Sequence, residues 1–245
     1  GSNGAGKTTT IHILCGLHAP SGGTAVVSEP GAEGGGLDIR TAMGKIQSAM
    51  GVCPQDNLLW DDLTGAEHLT FFGRLRGLRR GAELKAQINY WLKRVNLASR
   101  ADRAKPSRKF SGGMKRRLSV ACSLIADPKV VYLDEPTTGM DPVNRRGVWD
   151  VIEKSKRDRV VVLTTHAMEE ADTLGDTITI MSRGRLHCLG TSLHLKNKFG
   201  SGYQLDVTCP VSTHAQVSDF LASKIVGHRR VSETQFSAMV PLNKV

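Results

Sequence analysis

Residues 110–141 read FSGGMKRRLSVACSLIADPKVVYLDEPTTGMD, and the rest of the chain is built around them. Ser111-Gly112-Gly113 stands directly before apolar residues at Leu118, Ala121, Cys122 and Ile125, the spacing of an amphipathic helix whose start the serine can cap. Backbone amides at such a start point outward, ready for an anion. Val130-Val131-Tyr132-Leu133 is a short apolar run that ends abruptly in Asp134-Glu135-Pro136, which predicts a buried strand with two acids at its carboxyl end. In open α/β sheets ligands bind at that edge, so the carboxylates are expected to hold a metal and activate water. The competing reading is a solvated acidic turn.

Working outward toward residue 1, Gly1-Ser2-Asn3-Gly4-Ala5-Gly6-Lys7-Thr8 fits G-x-x-x-x-G-K-[ST] at every position, and a helical pattern follows through Ile11, Leu14 and Leu17. Glycines let the backbone curl so that successive N–H groups face a phosphate. The lysine reaches the β and γ phosphates, and the hydroxyl of the last residue can ligate Mg²⁺. Asp134 supplies the second metal ligand that such a loop requires. A P-loop follows a strand, yet residue 1 is already the first motif glycine, so the sequence reads as a fragment.

Between these two motifs, residues 24–27 and 50–53 predict short strands, and 29–36 is a glycine-rich surface insertion. Gln55 closes the second strand, a position from which it can reach a metal or an attacking water. Thr64 with Glu67 forms a capping box for a helix over 65–75, and a second helix spans about 83–95. Together they make an inserted helical block whose aromatic residues are expected in its core.

Beyond Glu135, Asp141 precedes Pro142, a helix-start pairing that gives Asp141 a structural role as a cap. Residues 159–164 form an apolar strand that delivers Thr165-His166 to the same sheet edge as Asp134. An imidazole placed there can sense a γ phosphate. Residues 177–181 and 186–189 read as a hairpin, 193–199 as a short helix, and 203–208, 217–226 and 235–240 as a terminal β-α-β unit without a convergent polar cluster.

The net charge of +10 is divided among small groups: Arg74, Arg76, Arg79 and Arg80; Lys115, Arg116 and Arg117; Arg145 and Arg146; His228, Arg229 and Arg230. These are expected to be solvated surface rather than a polybasic arm. Five scattered cysteines without a CxxC pair favour reduced thiols over a disulfide framework or a zinc site. No apolar run approaches the ~18 residues of a membrane span.

With the P-loop, Gln55, Ser111-Gly112-Gly113, Asp134-Glu135, Asp141 and His166 in this order, residues 1–190 resemble the nucleotide-binding domain of an ATP-binding cassette protein. The wording GVCPQDNLLWDDLTGAEHL, FSGGMKRRLSV and YLDEPTTGMDP is similar to the A subfamily of such transporters, whose members move lipids or related amphiphiles. The resemblance implies an α/β P-loop ATPase over residues 1–200, with a helical subdomain at about 56–115. A partial regulatory appendage would occupy 201–245.

It further implies that Gly1, Asn3, Gly4, Ala5, Gly6, Lys7, Thr8 and Thr9 line the triphosphate of ATP. Thr8, Gln55 and Asp134 would organise Mg²⁺, Glu135 would polarise the attacking water, and His166 would hold the γ phosphate. Ser111, Gly112, Gly113 and Asp141 would meet ATP bound on a second cassette domain. Residues 55–62 would contact the transmembrane domains of a transporter working at the cytoplasmic face of a membrane, and no specific nucleic acid is expected. Met114 replaces the glutamine of the commonest signature, while the backbone donors survive. Two rivals stand beside this reading. One is a soluble cassette ATPase acting on ribosomes or DNA. The other is a non-hydrolysing, ATP-dependent conformational switch, against which the presence of both Glu135 and His166 argues.

Overall fold

A computed structural model describes residues 1–28, 35–157, 159–200, 203–224, 229–232 and 235–240. Contacts divide the chain into two compact units, one of Gly1–Leu174 with Ile180–His187, the other of Gly175–Thr179 with Cys188–Val245.

The first unit begins with α1 (Lys7–Leu14), which springs directly from the left-handed Gly6. Leu17 lies beyond its end and is exposed. A short β1 (Val26–Val27) pairs antiparallel with β2 (Leu37–Asp38), and α2 (Met43–Ala49) runs without a break into β3 (Met50–Cys53). Most of the glycine-rich insertion, residues 29–34, lies outside the described residues. The helical block contains α3 (Gly65–Leu75), α4 (Ala82–Arg94) and α5 (Arg100–Ala104). There follow α6 (Gly112–Leu124), β4 (Val130–Asp134), α7 (Pro142–Ser155), β5 (Val160–Thr164) and α8 (Met168–Leu174). A two-stranded hairpin, β6 (Ile178–Ser182) and β7 (Arg185–Gly190), completes the order.

β4 lies between β3 and β5 and runs parallel to both, with Gly51 opposite Val131 and Asp134 opposite Thr164. All five β4 residues are buried, as a strand covered on both faces must be. Strand alternation divides its side chains between two cores. Val131 and Leu133 join the larger cluster with Leu118, Val120, Ala121 and Leu124 of α6 and Val148, Val151 and Ile152 of α7. Val130 and Tyr132 face Ile11 of α1 and Ile46 of α2. Gly51 has a packing reason: a Cβ there would stand 1.9 Å from the Ser123 carbonyl oxygen, so only glycine lets the end of α6 lie against β3.

The expected capping box is present: the Thr64 hydroxyl accepts from the Glu67 amide at 3.3 Å, while the Thr64 amide donates to Glu67 Oε2 at 2.7 Å. Leu69, Trp91 and Leu92 put the block into the larger core. The aromatic expectation holds in part: Trp91 and Phe110 are buried and Phe72 packs against the larger core, whereas Phe71 and Tyr90 are exposed. Phe71 instead packs edge-on against the half-exposed Trp60, ring centroids 4.7 Å apart.

In the second unit, α9 (Ser192–Phe199) is capped by the Thr191 hydroxyl, which accepts from the His194 amide. β8 (Tyr203–Thr208), α10 (His214–Lys224), β9 (Arg229–Ser232) and β10 (Gln235–Val240) follow. The sheet order is β8-β10-β9, all antiparallel. The β-α-β pattern thus contains one further strand, and α10 starts three residues earlier than its periodicity suggests; residues 225–226 of the expected helix lie outside the described residues. Among the described residues no helix is long and apolar enough to cross a membrane.

Candidate functional site

The P-loop is fixed from its surroundings. The Ala5 carbonyl accepts from the Gly184 amide in the β6–β7 turn at 3.0 Å, and the Ala5 amide donates to Ser2 O at 3.3 Å. Gly4 and Gly6 sit at φ +75° and +98°, the left-handed region that a Cβ disfavours. This curl brings the loop into the α1 start, where the first-turn amides of Lys7, Thr8 and Thr9 have no intrahelical acceptor.

Lys7, only 9% exposed, turns back over the loop. Its Nζ donates to Gly1 O at 3.0 Å and Ser2 O at 3.1 Å and stands 3.5 Å from Glu135 Oε1. Strand order places its counterparts: β4 ends in Asp134, 2% exposed, with Glu135, 8% exposed, just beyond. The Thr164 hydroxyl on β5 donates to Asp134 Oδ1. Among the described residues Asp134 forms no salt bridge, so a nearly buried carboxylate lacks a cationic partner.

Glu135 adopts φ +46°, a conformation sparsely populated by residues with a side chain. Its amide donates to both Thr164 O and Thr164 Oγ1 at 3.1 Å. The Thr138 hydroxyl donates to Glu135 Oε2 at 3.0 Å, and His166 Nδ1 lies 3.2 Å from the same oxygen. Burial pushes this carboxyl up, but the Thr138 and His166 hydrogen bonds and the His166 and Lys7 charges outweigh it and hold Glu135 below its ordinary value. Glu135 is therefore an anion at neutral pH. His166 is 45% exposed.

Gln55 is exposed just past β3. Ser111 uses its hydroxyl to cap α6, accepting from the Met114 amide at 3.2 Å, and it is exposed together with Gly112. Asp141 caps α7 by accepting from the Val143 and Asn144 amides at 3.1 and 3.0 Å, and Asn144 Nδ2 donates to its other oxygen at 2.6 Å. Asn144 also packs on Gly113, where a Cβ would stand 3.3 Å from its Cγ, and it accepts from Arg117 Nη1. The structure thus gathers the predicted residues into two groups. Lys7, Asp134, Glu135 and His166 converge at the strand ends, while Gly113 and Asp141 meet at Asn144, with Ser111 and Gly112 preceding Gly113 at the exposed start of α6.

Five residues that the spacing did not single out complete the picture: Thr164, Thr138, Asn144, Glu170 and Arg116. Arg116 corrects an expectation. Placed with Lys115 and Arg117 in a solvated group, it is instead buried at 4% exposure. The thiols stand apart from the chemistry. All five are free, and burial pushes Cys15 up to about 12 and Cys53 up to about 11, far from thiolate at neutral pH.

These residues fit ATP and Mg²⁺. A lysine whose partners are loop carbonyls, beside amides at a helix start, suits a polyphosphate. The uncompensated Asp134 carboxylate and the Thr8 hydroxyl are hard oxygen donors. Mg²⁺ is an ion that takes one or two protein oxygens and completes its shell with phosphate and water.

Fold and site together define a P-loop ATPase domain of the ATP-binding cassette type. The chain belongs to the ABC transporter family, whose family model, "ABC transporter", matches residues 1–138. It is 49% identical over 216 residues to ABC transporter A family member 7 of Arabidopsis thaliana, covering 88% of this chain and 22% of that protein. It therefore spans about a fifth of the length of that relative, and the likeness is to a nucleotide-binding domain of the A subfamily. Among solved structures, the ATP binding subunit of an ABC transporter matches with a TM-score of 0.69 at 26% identity, covering 81% of this chain and 79% of that one. A dimeric ATP-binding cassette in a post-hydrolysis state, bound to ADP and Pi, matches with a TM-score of 0.66 at 22% identity, covering 78% and 82%.

Proposed function

We propose that this domain binds ATP with Mg²⁺ and hydrolyses it while paired head-to-tail with a second cassette domain, driving transmembrane transport of lipids or related amphiphiles. The observation that carries the reading is the strained, ionised Glu135, held by Thr164, Thr138 and His166 within 3.5 Å of Lys7. Strain of this kind persists where surrounding structure over-determines it, often at functional sites.

In this reading the P-loop amides and Lys7 bind the phosphates, and Thr8 and Asp134 hold the metal with help from Gln55. Bound Mg²⁺ would neutralise charge developing on the phosphates. Glu135 orients a water and accepts its proton, while His166 fixes the position of the γ phosphate. Phosphoryl transfer to water asks for positioning and charge stabilisation rather than a covalent intermediate.

Pairing is supported by Gly112. Among the described residues nothing lies within 4 Å of where its Cβ would be, and its φ is not left-handed. The chain's own fold does not need glycine there, so the need is best met by close approach of something from outside, here the γ phosphate on a partner domain. One solved neighbour of this fold is a dimer bound to ADP and Pi. The lipid-type cargo rests on the sequence resemblance to the A subfamily alone, and contact of residues 55–62 with transmembrane domains at a membrane's cytoplasmic face goes with it. The boundaries 1–200 for the ATPase and 201–245 for a regulatory appendage belong to the same proposal.

Glu135→Gln in the intact protein should keep ATP binding and pairing but lose about 100- to 10,000-fold in turnover. Phosphate release at the unmutated rate would remove Glu135 from the role of base.

A further inference from the structure

Among the described residues Arg116 is the one buried guanidinium whose every N–H is spoken for by the two strand ends of the site. Nε donates to Pro136 O at 2.7 Å, Nη1 to Pro54 O at 2.6 Å and Gln55 O at 2.9 Å, and Nη2 to Asp134 O at 2.8 Å and Glu135 O at 2.9 Å. An arginine has five such donors in a fixed fork, and here each meets a different carbonyl. Among the described residues it forms no salt bridge. Those carbonyls belong to the residue before Gln55, to Gln55 itself, to Asp134, to the strained Glu135 and to the residue after it. The same arginine stands one turn along α6 from Gly112, and so on the helix whose start is the exposed group.

We propose that Arg116 is a positioning residue: it locks Gln55, Asp134 and Glu135 to α6, so that the chain's own catalytic edge and the helix start it presents to a partner move as one rigid piece. This rests on the ATPase reading above. The guanidinium holds the peptide units on both sides of Glu135, which fixes where that carboxylate can lie. It also holds the carbonyl of Gln55, so a shift of α6 on partner docking reaches the metal and water positions through hydrogen bonds rather than through loose packing. Lysine cannot replace it, because three rotatable donors leave at least two of the five carbonyls without a partner.

Arg76 supplies a matched control. Its Nη1 donates to Cys122 O, Ser123 O and Ile125 O at the far end of the same helix, at 3.1, 2.9 and 2.9 Å. It ties α3 to α6 without touching the site. The experiment compares Arg116→Lys, Arg116→Gln and Arg76→Lys in the intact protein, reading kcat, KM for MgATP and thermal unfolding. Misplacement at a reacting centre can cost on the order of 100-fold. The expected result is a kcat loss of that size in Arg116→Lys, larger in Arg116→Gln, with KM little changed, whereas Arg76→Lys lowers the unfolding temperature and leaves kcat within a fewfold of the unmutated protein. Unchanged kcat in Arg116→Lys overturns the proposal. So does a loss shared equally by Arg76→Lys, or a failure of both Arg116 variants to fold, since each makes Arg116 a stabilising residue only. If the unmutated protein itself turns over no ATP, or Glu135→Gln turns it over normally, the ATPase reading fails first and this proposal falls with it.

Discussion

The carboxyl end of β4 and the start of α6 lie within one stretch of sequence and carry the same kind of polar chemistry, yet the fold treats them in opposite ways. At the strand end, Lys7, Asp134 and Glu135 are nearly buried, Lys7 lies 3.5 Å from Glu135, and Thr164, Thr138 and His166 hydrogen-bond the two carboxylates. At the helix start, Ser111, Gly112 and Asp141 are exposed, and their partners are only those that build helix ends. In the first arrangement this chain's own side chains hold Glu135, while Asp134 keeps no cationic partner among the described residues. The second is preorganised but open, and its glycine answers to no constraint from its own fold. Proximity in sequence therefore does not make the two groups one site. They are read better as parts of two sites, each finished by a second domain.

The sharpest way to break that division is Gly112→Asp. Among the described residues a Cβ meets nothing there within 4 Å, and an acid in the first turn of a helix is favourable to its dipole. Stability and ATP binding at the chain's own P-loop should therefore hold, while a carboxylate facing a partner's phosphate should lower turnover by about 100-fold or more, the scale for loss of an anion-stabilising donor. Equilibrium ATP binding and steady-state phosphate release on one preparation check it. Loss of ATP binding in parallel with turnover would merge the two groups into one site and undo the comparison.

What could be read in advance divides along the same line. β3, α3, α6 and α7 were legible because their ends are written locally. Thr64 with Glu67, Ser111, and Asp141 with Pro142 are cap signals, and the structure uses each of them as such. α2 was not, since its N-cap position is Ala42 and no side chain caps it. β1 falls within the strand expected over 24–27, whereas the two-residue β2 exists only through pairing with β1 across the insertion, and β9 only through pairing with β10. Motif spacing singled out Lys7, Asp134, Glu135 and His166, but it could not find the side chains that fix them. Thr164 reaches Asp134 and Glu135 through strand register, and in the other group Asn144 reaches Asp141 and Gly113 through helix packing. Arg116 was hidden for a physical reason: a basic residue between two others reads as surface, and only the tertiary convergence of five carbonyls makes its burial favourable.

A second test concerns the turn that joins the two groups. Thr137, between Glu135 and Asp141, donates its hydroxyl to Glu170 Oε1 at 2.6 Å, and Trp149 Nε1 donates to the same oxygen at 2.9 Å. Glu170 is buried on α8, the helix that follows His166. Glu170→Ala leaves two buried donors without an acceptor and should cost about 1–3 kcal/mol of stability. Glu170→Gln retains an acceptor oxygen and should recover most of that loss. Denaturant unfolding of both variants decides. Equal destabilisation would show that the charge, rather than the acceptor, holds the turn.

The smallest effect separates the groups by proton linkage. Glu135 has its carboxyl held below the ordinary glutamate value of 4.5. Burial acts against this, and the hydrogen bonds from Thr138 and His166, with the His166 and Lys7 charges, overcome it. A carboxyl whose folded pKa is lowered binds fewer protons than in the unfolded chain, so stability rises with pH across the interval between the two values. Its contribution is fully present above the unfolded value and disappears as the pH falls through the folded one. The stability difference between the unmutated protein and Glu135→Gln, measured by urea unfolding at a series of pH values, should therefore shift against the unmutated protein as the pH falls below about 5. A difference that stays level on that acidification would show that the groups around Glu135 do not favour its ionised form and would redraw the buried half of the comparison.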